Sequence, residues 1–232
     1  MRQQFYAFYP FSADDGRAKE NSVLYDVLKK KQENRPHVIE MIERMISEKQ
    51  EIMSEANKGR QICFIGHSQL DQWDIDTIGG YHVRNCGISG ISAFEYDEKI
   101  LQPGLLRCED DIFLVMHGTN DIVWNDSIEE MTASISATID YIRIRNTTAP
   151  IIFLSCLHVN GRLDRSNARI DALNSALQKQ LAGSVIWIDT SFMDDKNGNL
   201  AGQYTTDGLH LTEAGYEILQ AEIEAKMREL GL

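Results

Sequence analysis

The sequence predicts an α/β protein: a three-layer α/β/α sandwich around a five-stranded parallel sheet, preceded by a helical extension. Two observations carry this. From residue 61 onward, short and almost continuous apolar runs recur, as strands covered on both faces require. Between them lie stretches with apolar residues at helical spacing, and strand–helix alternation implies a parallel sheet sandwiched by helices. Residues 1–60 lack that alternation and read as the extension, leaving 61–232 as the α/β domain.

Residues 1–20 mix aromatics with Asp14-Asp15-Gly16 and read as irregular. Residues 21–57 read as helical with a break near Pro36, because a proline disfavours helical geometry in the residue before it. After it, Val38, Met41, Ile42, Met45, Ile46 and Ile52 recur at helical spacing among Glu and Lys residues. Such a stripe packs on the main body or joins a partner, including a second copy of the chain in a homo-oligomer. The strand candidates follow: Ile62–Ile65, Tyr81–Val83, Ile112–Met116, Ile151–Ser155 and Val185–Ile188. A helix is expected where Ile128, Met131, Ile135, Ile139 and Ile142 share a face, opened by a Ser127/Glu130 capping box. Ile170, Leu173, Leu177 and Leu181 form a second stripe, and Leu219, Ile223, Met227 and Leu230 a third.

Composition narrows the function classes. The 232 residues, 43% hydrophobic and 25% charged, suit one globular domain with an appendage. Set against 35 acidic residues, 23 Lys and Arg leave a net charge of -12, a surface that repels nucleic acid. Cys63, Cys86, Cys108 and Cys156 form no C-x-x-C pair and read as buried free thiols of a reducing compartment. No apolar run reaches membrane-spanning length, and Met1–Pro10 does not resemble a signal peptide, so a cytoplasmic protein without membrane insertion is expected. Histidines occur singly, with no H-E-x-x-H, and no metal site is expected. The Asp194–Asn199 stretch lacks the ligand pattern of a calcium loop and reads as a polar turn. G-x-x-x-x-G-K is absent, and Leu70 stands where a G-x-S-x-G elbow needs glycine.

In parallel sheets the site lies beyond the carboxyl ends of the strands. Gly66-His67-Ser68 follows the first strand, Asn85 to Gly90 the second, and Gly118-Thr119-Asn120-Asp121 the third; Asp207-Gly208-Leu209-His210 precedes the last helix. A serine hydroxyl needs a base, which histidine supplies near neutral pH, and the imidazole needs an acceptor on its other nitrogen. Ser68, His210 and Asp207 offer that series. The oxyanion of a tetrahedral intermediate needs donors already in place. The backbone N–H groups of Ser68 and Gly90 and the Asn120 amide are the candidates, with Gly87 competing with Gly90.

These blocks, in this order, resemble the SGNH hydrolase family, also called GDSL-type esterases and lipases. The similarity runs over roughly residues 61–230. It implies a flavodoxin-like sheet, a Ser68–His210–Asp207 triad, an oxyanion hole of Ser68, Gly90 and Asn120, an acyl-enzyme and no cofactor. The chain departs from the family in two places: His67 replaces the Asp usual before the nucleophile, and 60 residues precede the first strand. His67, His158 and Asn160 are read either as substrate contacts or as loop residues, and Trp73 and Trp124 as pocket lining or core. The expected substrate is a small-molecule or glycan ester with a short acyl group, most simply an O-acetyl sugar. An O-acetyltransferase, a lysophospholipase or thioesterase, and a non-catalytic binding protein are the competing readings.

Overall fold

The structure is a computed structural model that describes residues 22–124 and 126–232. The irregular stretch expected over 1–20 lies outside the described residues. Two compact units divide between Ile39 and Glu40. The unit that holds the sheet therefore begins inside the stretch that the sequence assigns to the extension.

Helix α1, Ser22–Glu48, is unbroken at Pro36, contrary to the sequence reading. A proline forfeits one rung, at a cost of about 3 kcal/mol. The rungs on either side and the burial of Ile42 and Ile46 outweigh it. The interruption falls instead at Lys49, before α2, Gln50–Ser54. The stripe keeps its phase across it: Met53, two turns after Ile46, is fully buried, whereas Ile52 falls off the stripe and is 40% exposed.

The sheet takes its strands in the order β2-β3-β1-β4-β5-β6. Here β1 is Gln61–Gly66, β2 Thr77–Ile78, β3 Tyr81–Asn85, β4 Ile112–Met116, β5 Ile151–Leu154 and β6 Ile186–Ile188. All five expected strands are present and parallel. The two-residue β2 is an added antiparallel edge, unforeseen because two residues carry no period. Without it, the parallel strands follow the flavodoxin-like order, with the chain reversing direction across the sheet at β1.

Alternation along the strands makes the two faces. Ile62, Phe64, Leu114, Met116, Ile152 and Leu154 cluster with Leu219, Ile223 and Met227 of α7, Glu213–Leu230. The intervening Cys63, Ile65, Phe113, Val115, Ile151 and Phe153 are equally buried on the other face. There α5, Ile128–Arg145, and α6, Asn167–Gln180, bring Ile135, Ile139, Ile170 and Leu173 inside. The Ser127/Glu130 capping box forms as expected. All four cysteines are free and buried. Among the described residues no helix is long and apolar enough to cross a membrane.

Candidate active site

The polypeptide passes from β1 to the four-residue helix α3, Ser68–Asp71, in a single residue, His67. Gly66 permits this crossing: a Cβ there would lie 2.2 Å from the Met116 carbonyl oxygen. His67 caps α3, its Nδ1 accepting from the Gln69 N–H at 3.4 Å, which puts the proton on Nε2. Burial, then the neighbouring His117, Arg165 and His210, hold its pKa well below the ordinary value. The residue in the usual Asp position is thus a neutral cap that can accept as a carboxylate would, but brings no charge.

Across 142 residues of sequence, His210 Nε2 stands 3.1 Å from Ser68 Oγ. Its Nδ1 is 2.9 Å from Asp207 Oδ2. The other Asp207 oxygen accepts from the N–H groups of Leu209 (3.0 Å) and His210 (2.8 Å), so one Asx-type turn sets both side chains. Partial burial pushes the Asp207 carboxyl up, but the bonds from His210 and Leu209 outweigh it and hold the pKa at about 2. Gly208 carries the turn at φ +81°, where a Cβ would meet the Asn160 carbonyl oxygen at 1.9 Å.

The loop after β3 is carried toward Ser68 by the Ile88 N–H, which donates to the Gly66 carbonyl at 3.0 Å. Gly87 and Gly90 now separate. The Gly87 N–H is taken by Asn85 Oδ1 at 3.0 Å, and a Cβ there would meet the Asp71 nitrogen at 2.7 Å. Gly87 thus serves close packing, while Gly90 is half-buried and adopts φ +80°, a backbone conformation that favours glycine. Asn120, buried beyond β4, donates through Nδ2 to the Ile91 carbonyl at 2.9 Å, tying its loop to that of Gly90.

The remaining sequence-nominated residues are placed as follows. Trp73 is buried between Phe64 and Tyr216, with ring centroids at 5.5 and 5.2 Å, so it fills core. Trp124 ends a short 3-10 turn and is half-buried. His158 gives both ring nitrogens to carboxylates, Asp194 at 2.7 Å and Asp171 at 2.9 Å. Asn160 braces the Asp207–His210 turn: its N–H donates to the Gly208 carbonyl at 2.9 Å, and its side chain holds the Leu200 carbonyl at 2.8 Å. Asp194–Asn199 is a turn in which Asp195 Oδ1 accepts from the N–H groups of Asn197 and Asn199. Among the described residues no group of three or more His, Cys, Asp or Glu is arranged to hold a metal ion.

Three residues that sequence reasoning passed over join these loops. Gln69 Nε2 donates to the Leu209 carbonyl at 2.8 Å, and the Tyr216 hydroxyl donates to the Gln69 carbonyl at 3.0 Å. Lys49 Nζ reaches Asp71 Oδ1 at 2.6 Å and the Gly87 carbonyl at 2.8 Å, linking α3 to the loop after β3. A lysine in a charged helix gives no sequence signal for such a contact; only its partners, distant in sequence, reveal it.

A serine, an imidazole and a carboxylate bonded in series at the carboxyl edge of a parallel sheet define the class by its architecture, an α/β protein with a Ser-His-Asp series. The model of the GDSL-like Lipase/Acylhydrolase family matches residues 67–218, and the chain belongs to that family, the SGNH hydrolases that its sequence resembles. It is 35% identical over 198 residues to the N-acylneuraminate cytidylyltransferase of Escherichia coli O18:K1:H7 (strain RS218 / NMEC). That match covers 85% of this chain and 46% of the relative, so the chain spans about half the relative's length. Among solved structures, a candidate platelet activating factor from Streptococcus pneumonia superposes with a TM-score of 0.72 at 24% identity, over 88% of this chain and 98% of that one. A carbohydrate esterase family 3 protein from Talaromyces cellulolyticus superposes at 0.58 and 17% identity, over 73% and 97%. These two likenesses show the fold.

Proposed function

We propose that the chain is a serine esterase that removes a short acyl group, an O-acetyl ester on a carbohydrate, through an acyl-enzyme. The observation that carries the reading is the continuous series from Ser68 Oγ through the His210 ring to Asp207, at 3.1 and 2.9 Å. Ser68 Oγ attacks the ester carbonyl carbon as His210 Nε2 takes its proton. The carbonyl oxygen becomes an oxyanion, met by the N–H groups of Ser68 and Gly90 and by Asn120 Nδ2. Removing one such donor costs roughly 3–4 kcal/mol of barrier. Collapse breaks the bond to the leaving oxygen, which receives the proton from His210. Water, deprotonated by the same nitrogen, then attacks the acyl-Ser68 ester and releases the carboxylic acid. With its carboxyl at about 2, Asp207 stays ionised throughout and stabilises the imidazolium formed in each half-reaction.

The carbohydrate assignment draws on two names. The Talaromyces neighbour is a carbohydrate esterase, and the curated relative is named for N-acylneuraminate, itself a sugar. Hydrolysis of p-nitrophenyl acetate by wild type and Ser68→Ala tests the chemistry. Wild-type turnover lost by more than about a thousandfold in the variant supports it; equal rates overturn it. Faster turnover of the octanoyl than of the acetyl ester would overturn the short-acyl assignment, and acetate release from O-acetylated N-acylneuraminate tests the sugar.

A further inference from the structure

The geometry points to Arg165 as the residue that orients and polarises the Asn120 amide for oxyanion binding, an inference that rests on the esterase reading above. An Asn side chain is nearly symmetric in shape, and turning it over would aim a carbonyl oxygen, instead of an N–H, at the developing anion. Two bonds decide between the orientations here. Nδ2 donates to the Ile91 carbonyl at 2.9 Å, and Oδ1 accepts from Arg165 Nη2 at 3.0 Å. A carbonyl only accepts and a guanidinium only donates, so the reversed amide would face oxygen to oxygen and N–H to N–H. Nδ2 has two hydrogens; the Ile91 carbonyl takes one, and the other is left for the substrate.

Arg165 is itself held firmly. It is 6% exposed, its Nε donates to the Thr119 carbonyl at 2.9 Å, and its Nη1 is bonded to the carboxylate of Asp164. Asp164 also accepts from Arg162 Nε at 3.2 Å. The guanidinium thus spans the Thr119 carbonyl and the Asn120 side chain with one rigid fork, which a lysine ammonium cannot reproduce. A buried positive charge on the amide oxygen also draws electron density from the amide nitrogen, strengthening the remaining N–H as a donor. Arg165 touches no reacting atom and is a positioning residue.

A double-mutant cycle on kcat for p-nitrophenyl acetate separates this role from plain support of the fold. Arg165→Lys is expected to lower kcat by roughly 10- to 100-fold with KM changed less than about threefold, since the loss is confined to the transition state. In an Asn120→Ala background the same change is expected to cost less than about threefold, because its target is gone. Equal losses in both backgrounds would overturn the Arg165 role while leaving the esterase reading intact. An unchanged kcat in Asn120→Ala alone would overturn both the oxyanion assignment and this inference. If Arg165→Lys does not fold, Arg165→Gln completes the cycle. A third measurement needs no change at Arg165: the Asn120 side-chain N–H bonded to the Ile91 carbonyl, assigned by its loss in Asn120→Ala, should exchange with deuterium far more slowly than the side-chain amide of exposed Asn197. Equal exchange would overturn the proposed clamp.

Discussion

Asp121 should make the stability of this protein fall as pH rises from about 4 to about 7. The residue is 1% exposed; Oδ1 accepts from the Ala93 N–H at 2.9 Å, and Oδ2 meets no partner among the described residues. Burial, only partly offset by the backbone bonds of Ala93 and Asp121, pushes its pKa from 3.8 to about 7. The folded state therefore binds this proton more tightly than the unfolded state does. The contribution to stability is complete below the unfolded value and is lost as pH rises through the folded one. Over that span of about three pKa units, at 1.36 kcal/mol each, the loss reaches at most about 4 kcal/mol. Asp121→Asn keeps the acceptor for Ala93 and carries no charge, so it should show none of this slope. Urea unfolding at about pH 5 and about pH 8, followed by tryptophan fluorescence, measures it. The wild type should lose several times more stability than the variant between the two conditions. Parallel losses would refute the reasoning. His117, pulled down to about 3 by burial, works in the opposite sense, so its penalty appears as pH falls below its unfolded value of 6.5.

Three further outcomes are expected. Gly208→Ala, with φ at +81° and its new methyl placed 1.9 Å from the Asn160 carbonyl oxygen, should cost about 2 kcal/mol or more and lower kcat, read by melting and ester hydrolysis together. Lys49→Met leaves Asp71, whose side chain is 10% exposed, without its cation; about 3 kcal/mol should be lost from urea stability, with kcat falling as the Ser68 and Gly90 loops separate. Asp207, at about 2, should produce no inflection in the pH–rate profile above about pH 3, whereas Asp207→Asn should lower kcat by about 10⁴-fold at neutral pH.

The sheet and the four functional blocks were legible because both rest on local pattern. Continuous apolar runs mark buried strands, and a site at the carboxyl edge places its residues just past each run, as Ser68, Gly90 and Asn120 are placed. Asp207 and His210 were readable because one turn of three residues orients them both. Helix α1 was misread at Pro36 because a proline's local penalty says nothing of the tertiary burial that Ile42 and Ile46 gain. Arg84 was invisible for a related reason. It stands in β3 as an ordinary charged residue, yet its fork meets Asp110 and its Nη1 holds the Ile52 and Met53 carbonyls at 3.0 Å. Asn160 and His158 sit past β5 where substrate contacts are expected; the His158 ring is bonded to Asp194 and Asp171, and Asn160 Nδ2 to the Leu200 carbonyl. Residue type and position along the sheet indicate where a side chain begins; its partner is decided by segments remote in sequence.

The cross-ties among the loops bear on how the molecule comes apart. Gln69 holds Leu209, Asn120 holds Ile91, Asp121 holds Ala93, and Ile88 holds Gly66. No single loop at this edge can fray without pulling on another, so the edge opens as one cooperative block. Warming the enzyme should therefore silence it and loosen these amides in the same narrow interval, with little inactive but otherwise intact material in between.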